Sequence, residues 1–200
     1  ELEASIEDLE YHQGDFQVRG TRVGIGIFDL CSRQSDNSIS VKRKKELTGR
    51  SWPNGCHVAE VEIDAETGEV RLDRYVSVDD VGNTVNPMIV HGQVQGGIAS
   101  GLGQAVLERT EYDASGQLLS GSYMDYALPR ADDMPSLSGS LFEKAPCLTN
   151  PLGAKGTGEI GAVAGPPAIV HAVIDALAEK GITQVDMPLQ PQKIWECLNR

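Results

Sequence analysis

Hydrophobic and polar residues alternate most clearly between residues 57 and 80. HVAEVEID (57–64) alternates, AETG supplies turn residues, and EVRLDRYVSVDD (69–80) alternates again, which predicts a β-hairpin. The parity of the apolar positions changes near Tyr75, which indicates a β-bulge or a change of buried face. The residues expected on the covered face are Val58, Val61, Ile63, Val70, Leu72, Tyr75, Val76 and Val78.

Shorter patterns predict the remaining strands and connections. LEYHQGDFQV (9–18) indicates a hairpin that turns at Gln13-Gly14-Asp15, and GSLFEKA (139–145) indicates a strand. Residues 34–52 are polar and lack a period, so we expect an exposed or partly disordered connection. SGSYMDYALPRADDMP (120–135) predicts an extended segment ended by prolines.

Two long helices are predicted. The first has helical spacing through Ile89, Gln93, Ile98, Leu102, Ala105 and Val106. It also contains Gly92, Gly96, Gly97, Gly101 and Gly103, and each glycine costs a helix about 1 kcal/mol relative to alanine. Such a helix is expected to lie at close range against another backbone or a ligand. The second is PAIVHAVIDALAEKG, with Pro166-Pro167 at its opening, Ile169, Val170, Val173, Ile174 and Leu177 on its apolar face, and Gly181 as its C-cap.

Two short helices complete the pattern. IGIFDLCSRQ (25–34) predicts one, and MPLQPQKIWECL (187–198) predicts a proline-bounded second one in which Trp195 is expected to be the anchor. Helices and strands are interspersed without strict alternation, so the predicted class is α+β, with a mixed sheet and packed helices.

Composition and charge argue against several classes of function. The chain has 200 residues and a net charge of −12, which argues against nucleic-acid binding, and no apolar run approaches the roughly 20 residues of a membrane span. Cys31, Cys56, Cys147 and Cys197 are far apart, so neither a zinc nor an iron–sulfur site is predicted. We expect a cytoplasmic protein with reduced cysteines. The start at Glu1 instead of Met suggests a cleaved or truncated piece.

The stretch GAKGTGEIGAVAG (153–165) admits several interpretations. Gly156 to Gly161 fits G-x-G-x-x-G, a dinucleotide-binding pattern. That pattern needs a preceding buried strand and an acidic residue about 20 positions later, whereas PCLTNPLGAK is proline-broken and Asp175 lies within the predicted helix. Alternatively, the glycines simply allow tight turns, and Glu159 is a favourable charge near a helix N-terminus.

Four segments, taken together, resemble a known family. In order along the chain they are residues 92–108, 122–135, 150–177 and 186–195. They are similar to the C-terminal portion of the molybdenum-cofactor subunit of the molybdenum hydroxylases, the family of xanthine dehydrogenase, aldehyde oxidoreductase and aerobic carbon monoxide dehydrogenase. The resemblance runs from about Asn54 to Leu198. We therefore expect a weakly matched hairpin, helix and polar connection at 1–53 and a C-terminal molybdopterin-binding lobe at 54–200.

The resemblance implies roles for six residues. Glu159 matches the Glu of the K-G-x-G-E motif, which stands beside the molybdenum as general base. Gln93 matches the Gln of G-Q-V-x-G, which contacts the pterin. The rest of the first motif, Lys155, Gly156, Thr157 and Gly158, would line the cofactor largely through backbone N–H groups.

Other polar residues are interpreted as structural. His57 and His171 are expected to be packing or surface histidines, and Asp79-Asp80 to be turn residues. By the resemblance the metal takes its ligands from the cofactor, so no protein ligand to it is expected.

The resemblance also implies a reaction and partners. The family hydroxylates an aldehyde, an N-heterocycle or a CO-like substrate with oxygen from water. Its cofactor is molybdopterin with molybdenum, here expected in the cytosine dinucleotide form, and FAD and 2Fe-2S clusters are expected on partner subunits. The chain would dock against the remainder of the molybdenum subunit, and alone we expect it to be inactive. The alternatives are an inactive assembly lobe and a dinucleotide-binding module.

Overall fold

The computed structural model describes residues 1–44 and 49–199. The chain divides into two compact units, Glu1–Glu46 and Leu47–Arg200, and the domain boundary expected at residue 53 stays a prediction. The described parts of the predicted polar connection are mostly exposed. Its residues 45–48 lie outside the described residues.

The first unit contains the predicted N-terminal hairpin. Strands β1 (Leu9–His12) and β2 (Asp15–Val18) are antiparallel, β3 (Gly24–Gly26) pairs with β2, and helix α1 (Ile27–Ser32) follows. Gln13 and Gly14 join β1 to β2 with φ angles of 47° and 98°. Two positive φ angles suit a two-residue hairpin turn, because such a turn follows the twist of the strands.

The second unit has a three-stranded mixed sheet. Strand β5 (Val70–Asp80) lies between β4 (Asn54–Ile63), to which it is antiparallel, and β6 (Leu137–Leu141), to which it is parallel. The α+β class with a mixed sheet is thereby confirmed. Strand β6 begins two residues before the predicted segment. Of the segment predicted to be extended, residues 122–126 form turns and bends and Ala131–Asp133 a 3₁₀ turn, while Arg130 and Met134 are extended, so that prediction is only partly confirmed.

Three helices pack in this unit. Helix α2 (Pro87–Leu102) continues into a π-helical turn at Gly103–Leu107, and α3 (Ile160–Ala176) and the short α4 (Pro191–Leu198) follow. Ile194 of α4 is fully buried while Trp195 is half-exposed, so Ile194 is the anchor of this helix. None of the described helices is both long and apolar enough to cross a bilayer.

A bulge at Asp73 determines which side chains of β5 face the core. Glu60 pairs with Arg74 and Val61 with Leu72, so Asp73 has no partner in β4, and the bulge indicated near Tyr75 is confirmed. Beyond it the alternation is reversed, and Tyr75, Ser77 and Asp79 are buried. The expectation that Val58, Val76 and Val78 lie on the covered face is wrong, because they are 56%, 38% and 43% exposed.

Helices α2 and α3 cross at their glycines. A Cβ atom on Gly97 would lie 2.8 Å from the Cα of Gly161, and one on Gly101 would lie 3.0 Å from the Cα of Gly165. The predicted close approach of two backbones is therefore confirmed for these positions. It does not extend to Gly92 and Gly96, where a Cβ atom would meet nothing within 4 Å.

Helix α3 begins earlier than the sequence indicates. Its first residue is Ile160, so Pro166 and Pro167 lie inside the helix and not in its first turn. The early start buries Ile160 and Gly161 against α2, which offsets the backbone hydrogen bonds that the prolines cannot donate. The predicted apolar face is confirmed, since Ile169, Val173 and Leu177 are buried. The predicted C-cap is wrong: Leu177 caps α3, and Gly181, with a φ of 71°, caps the separate 3₁₀ turn Ala178–Lys180 that follows.

Candidate functional site

The glycine-rich loop is fixed to the end of β5 before it enters α3. The N–H of Lys155 donates to the carbonyl of Val81 (2.7 Å), and the N–H of Asn83 donates to the carbonyl of Gly153 (2.9 Å). Gly153 has a φ of 67°, a left-handed conformation that favours glycine. The chain then runs through residues 156–159 and becomes helical at Ile160.

Glu159 is the last residue of the loop and the N-cap of α3. Its carbonyl accepts the N–H of Val163 at 2.9 Å, while its side chain caps no backbone N–H of the helix. The residue is exposed, so its carboxylate is available to a reactant. It lines a cleft of about 550 Å³ whose other walls are formed by residues 51–55, His57, Gly156, Gly158, Ile160, Val163 and Ala164.

Gln93 approaches the same loop from α2. The residue is exposed, and a Cβ atom on Gly158 would lie 3.8 Å from Gln93 Nε2. Ile89, one turn earlier, is also exposed, which corrects the expectation that Ile89 and Gln93 share the apolar face of this helix. The face instead carries Val90, Val94, Ile98 and Leu102.

The protein's own packing does not require glycine at position 156. A Cβ atom there would meet nothing within 4 Å, and its φ is not in the left-handed region. The hydroxyl Oγ1 of the adjacent Thr157 is buried and has no hydrogen-bond partner within the described chain. Open space beside one residue and an unpaired hydroxyl on the next are features that a bound polar group would account for.

Lys155 makes an ion pair instead of facing the cleft. Its Nζ lies 2.6 Å from Asp80 Oδ2, and both side chains are about nine-tenths buried. Burial would raise the pKa of the Asp80 carboxyl, but the hydrogen bonds from Lys155 and from the N–H of Gly82 outweigh it and hold this pKa below its usual value. Lys155 donates its backbone N–H and one ammonium N–H within the chain and is not among the residues that line the cleft, and its expected contact with the cofactor stays a prediction.

A second buried group lies behind the cleft. His57 Nε2 is 2.9 Å from Asp79 Oδ1, and His57 Nδ1 is 2.9 Å from the hydroxyl of Tyr75. A carboxylate only accepts hydrogen bonds, so the neutral Nε2–H tautomer fits, with the Tyr75 hydroxyl donating to Nδ1. Burial, together with the charge of Asp79, raises the pKa of Tyr75. His57 is thus a packing histidine as expected, and His171 is exposed.

Sequence reasoning missed both of these hydrogen-bonded groups. Asp79 and Asp80 are the last residues of a strand and not turn residues. Asp79 binds His57, which lines the cleft, and Asp80 binds Lys155 of the glycine loop. The alternation beyond the bulge was the available signal for Asp79. No sequence pattern near Asp80 indicates that it pairs with a lysine 75 positions later.

The remaining alternatives can be compared with this geometry. The described residues contain no group of three or more His, Cys, Asp or Glu side chains able to hold a metal ion. A helix does follow the G-x-G-x-x-G pattern, but residues 142–159 before it include only an isolated bridge at Ala154 and no strand. A dinucleotide site needs a strand there, so the described loop lacks that arrangement.

Comparison with known proteins agrees with the resemblance. The profile of the molybdopterin cofactor-binding domain matches residues 1–135. The nicotine 6-hydroxylase large subunit of Paenarthrobacter nicotinovorans is 38% identical over 96% of the chain. Carbon monoxide dehydrogenase, in a crystal structure of its Cu,Mo form, superimposes with a TM-score of 0.87 at 29% identity over 98% of the chain.

A further solved structure is that of quinoline 2-oxidoreductase from Pseudomonas putida 86, with a TM-score of 0.84 at 33% identity over the whole chain. The chain spans about a quarter of the length of these proteins: 25% of the nicotine hydroxylase subunit, 26% of the carbon monoxide dehydrogenase chain and 27% of the quinoline oxidoreductase chain. The profile match includes residues 1–53, which resemble the family only weakly by inspection. The chain therefore belongs to the molybdopterin cofactor-binding domain family of the molybdenum hydroxylases.

Proposed function

We propose that this chain forms the part of a molybdenum hydroxylase that supplies the general base, and that the base is Glu159. The observation that carries the proposal is the carboxylate itself. It is exposed at the mouth of a cleft, it makes no capping bond to α3, and glycines flank it on the loop side. A base for proton transfer needs this access to its reactant.

The residues of the loop fit a bound molybdopterin. The open face at Gly156 and the unpaired Thr157 hydroxyl support contact with a polar group, and the Gln93 amide lies beside Gly158. We propose that Gln93, Gly156, Thr157 and Gly158 hold the cofactor. Lys155 belongs to the same motif, and its part in the site is indirect, since its donors are engaged by Val81 and Asp80.

For an aldehyde or an N-heterocycle, the proposed reaction replaces a C–H bond by C–OH with oxygen from water and releases two protons and two electrons. For CO, which has no C–H bond, the oxygen of water adds to carbon to give CO2, again with two protons and two electrons released. Bound molybdopterin with its molybdenum supplies the two-electron acceptor. The Glu159 carboxylate accepts the proton from the oxygen that attacks the substrate, which makes that oxygen a better nucleophile. An aldehyde, an N-heterocycle or a CO-like molecule is the proposed substrate.

The proposed partners follow from the length of the chain relative to its relatives. The comparison names a large subunit, and a chain that covers about a quarter of it would need the remainder to complete the cofactor site. We propose FAD and 2Fe-2S subunits as the electron acceptors and the cytosine dinucleotide form of the cofactor. Extraction of the nucleotide from the purified complex and its identification by mass spectrometry tests the latter.

The experiment that tests the function is Glu159→Gln in the complex purified from the native host through a tag on this chain. The matched control is Glu179→Gln, an exposed carboxylate beyond the other end of α3. General base catalysis contributes about 10²- to 10⁴-fold, so kcat per molybdenum is expected to fall by about 100-fold or more in Glu159→Gln. It should not change in the control.

Three other results would change the conclusion. Full turnover in Glu159→Gln would remove the base assignment and favour the inactive assembly lobe, as would an intact complex without molybdenum. Saturable binding of NAD or FAD by this chain, abolished by Gly158→Val, would instead favour the dinucleotide-binding module.

A further inference from the structure

An ion pair joins the glycine loop to the sheet, in addition to the backbone hydrogen bonds between Lys155 and Val81 and between Asn83 and Gly153. Asp80 stands at the end of β5, and its Oδ2 binds Lys155 Nζ at 2.6 Å across 75 residues of sequence. The other oxygen of the same carboxylate accepts the N–H of Gly82 at 2.9 Å. Asp80 thus holds the loop with one oxygen and its own strand end with the other, so the loop follows the position of the sheet.

The loop has a second point of attachment at its far end. Gly161, two residues after Glu159, lies against α2, where a Cβ atom would come within 2.6 Å of the backbone nitrogen of Ile98. This attachment is a van der Waals contact between two backbones. Glu159 is therefore held between an ion pair on the sheet side and a helix crossing on the other.

The residues between these two attachments add little of their own. A Cβ atom at Gly156 would meet nothing within 4 Å, and one at Gly158 would meet only the Gln93 amide, at 3.8 Å. The Thr157 hydroxyl has no partner in the described chain. The position of the Glu159 carboxylate then depends on where Lys155 and Gly161 are fixed.

We propose that Asp80 and Lys155 are a positioning pair, which sets the location of Glu159 above the cleft without contacting the reactants. The proposal deepens the function stated above and rests on it. The competing role for Lys155 is direct contact with the cofactor. The two roles predict different effects of changing Asp80. Only the positioning role predicts that loss of Asp80 and loss of Lys155 have the same effect, because either change breaks the same ion pair.

The test uses the complex purified from the native host and compares Asp80→Asn, Lys155→Met and the double variant. The control is Arg74→Met, which breaks the exposed ion pair of Arg74 with Glu60 (3.3 Å) on the same hairpin. Molybdenum content, kcat per molybdenum, KM and the hydrogen exchange of the peptide 153–165 are measured for each.

A displacement of about 1 Å can cost about 100-fold in rate, so we expect kcat per molybdenum to fall about 10- to 100-fold in both single variants. The double variant should be no worse than either one. KM and molybdenum content should change little, and amides 153–159 should exchange faster. The control should match the wild type in every measurement. A pair that only stabilises the fold would lower the yield of complex and leave kcat per molybdenum unchanged.

Two results would overturn the proposal. One is an unchanged kcat per molybdenum in Asp80→Asn. The other is loss of molybdenum in Lys155→Met alone, which would assign Lys155 to the cofactor. If Asp80→Asn does not assemble, Lys155→Gln replaces the ammonium group by a shorter, neutral amide, and the same loss of kcat is expected; an unchanged value would again contradict positioning.

Failure of the function proposed above is recognised separately. It appears as full turnover in Glu159→Gln, whereas the exchange rates of the loop amides in Asp80→Asn report on the attachment whether or not Glu159 is the base.

Discussion

The crossing of α2 and α3 can be tested with two adjacent glycines. Gly96 and Gly97 are neighbours in α2, but a Cβ atom on Gly96 would meet nothing within 4 Å, while one on Gly97 would lie 2.8 Å from both the Gly161 Cα and the Ala162 nitrogen. Alanine at the two positions therefore has the same effect on helix propensity and opposite effects on packing. The prediction concerns the free energy of unfolding of Gly96→Ala and Gly97→Ala.

The magnitude follows from these distances. Ordinary van der Waals contact begins at 3.4 Å, so Gly97→Ala must move the helices apart by about 0.6 Å, and overpacking of this kind costs about 1–3 kcal/mol. Gly96→Ala, with free space around it, should stabilise the protein by about 1 kcal/mol. Because the gain in helix propensity is common to both variants, they should differ by about 1–3 kcal/mol in stability.

Urea denaturation followed by circular dichroism measures this difference directly. Thermal denaturation is a second readout, with about 2–4 °C expected for each kcal/mol in a protein of this size. Gly92→Ala, also in free space, serves as a further control and should behave like Gly96→Ala. If Gly97→Ala is as stable as Gly96→Ala, the close contact of the two backbones does not exist and the account of these glycines is wrong.

Two further predictions concern pH. The pKa of Asp80 is lowered in the folded protein because Lys155 and Gly82 outweigh the effect of burial, so its stabilising contribution is complete above the ordinary aspartate pKa of about 3.9 and is lost as the pH falls through the lower folded value. In urea denaturation between pH 2 and 7, the free energy of unfolding should fall less on acidification in Asp80→Asn than in the wild type. An equal fall in both proteins would refute the role assigned to Asp80. The pKa of Tyr75 is raised by burial and by Asp79, so its contribution is complete below about pH 10, the ordinary tyrosine value, and is lost as the pH rises above it. Tyr75→Phe should flatten this alkaline decline in unfolding free energy, and an unchanged decline would contradict it.

Local patterns predicted the elements of this fold better than its contacts. The hairpin at 57–80 was evident because its alternation and its turn residues agree. The five glycines predicted a close approach of the first long helix to another backbone or a ligand, without indicating which. The start of α3 was mispredicted because prolines favour a first turn, whereas burial against α2 extends the helix upstream of them. This burial depends on the contact between two distant segments, so the sequence of either segment alone does not predict it.

The site shows the same division. The K-G-x-G-E and G-Q-V-x-G motifs predicted that Gln93 and the loop belong together, and the structure brings the Gln93 amide close to Gly158. The sequence did not show that Lys155 turns toward Asp80, because a lysine side chain is long and the fold determines which acceptor lies within its reach. Nor did it show that both ring nitrogens of His57 are hydrogen-bonded, since this depends on which side chains of β5 point inward.

The unpaired Asp73 has a consequence for how this sheet tolerates change. Deletion of that one residue would make Leu72 and Arg74 neighbours, still opposite Val61 and Glu60, so Tyr75, Ser77 and Asp79 would keep facing inward in a regular strand. His57 would then keep both of its hydrogen-bond partners. The bulge therefore absorbs a deletion at residue 73, whereas a deletion between Arg74 and Asp79 would reverse the orientation of the side chains that follow it.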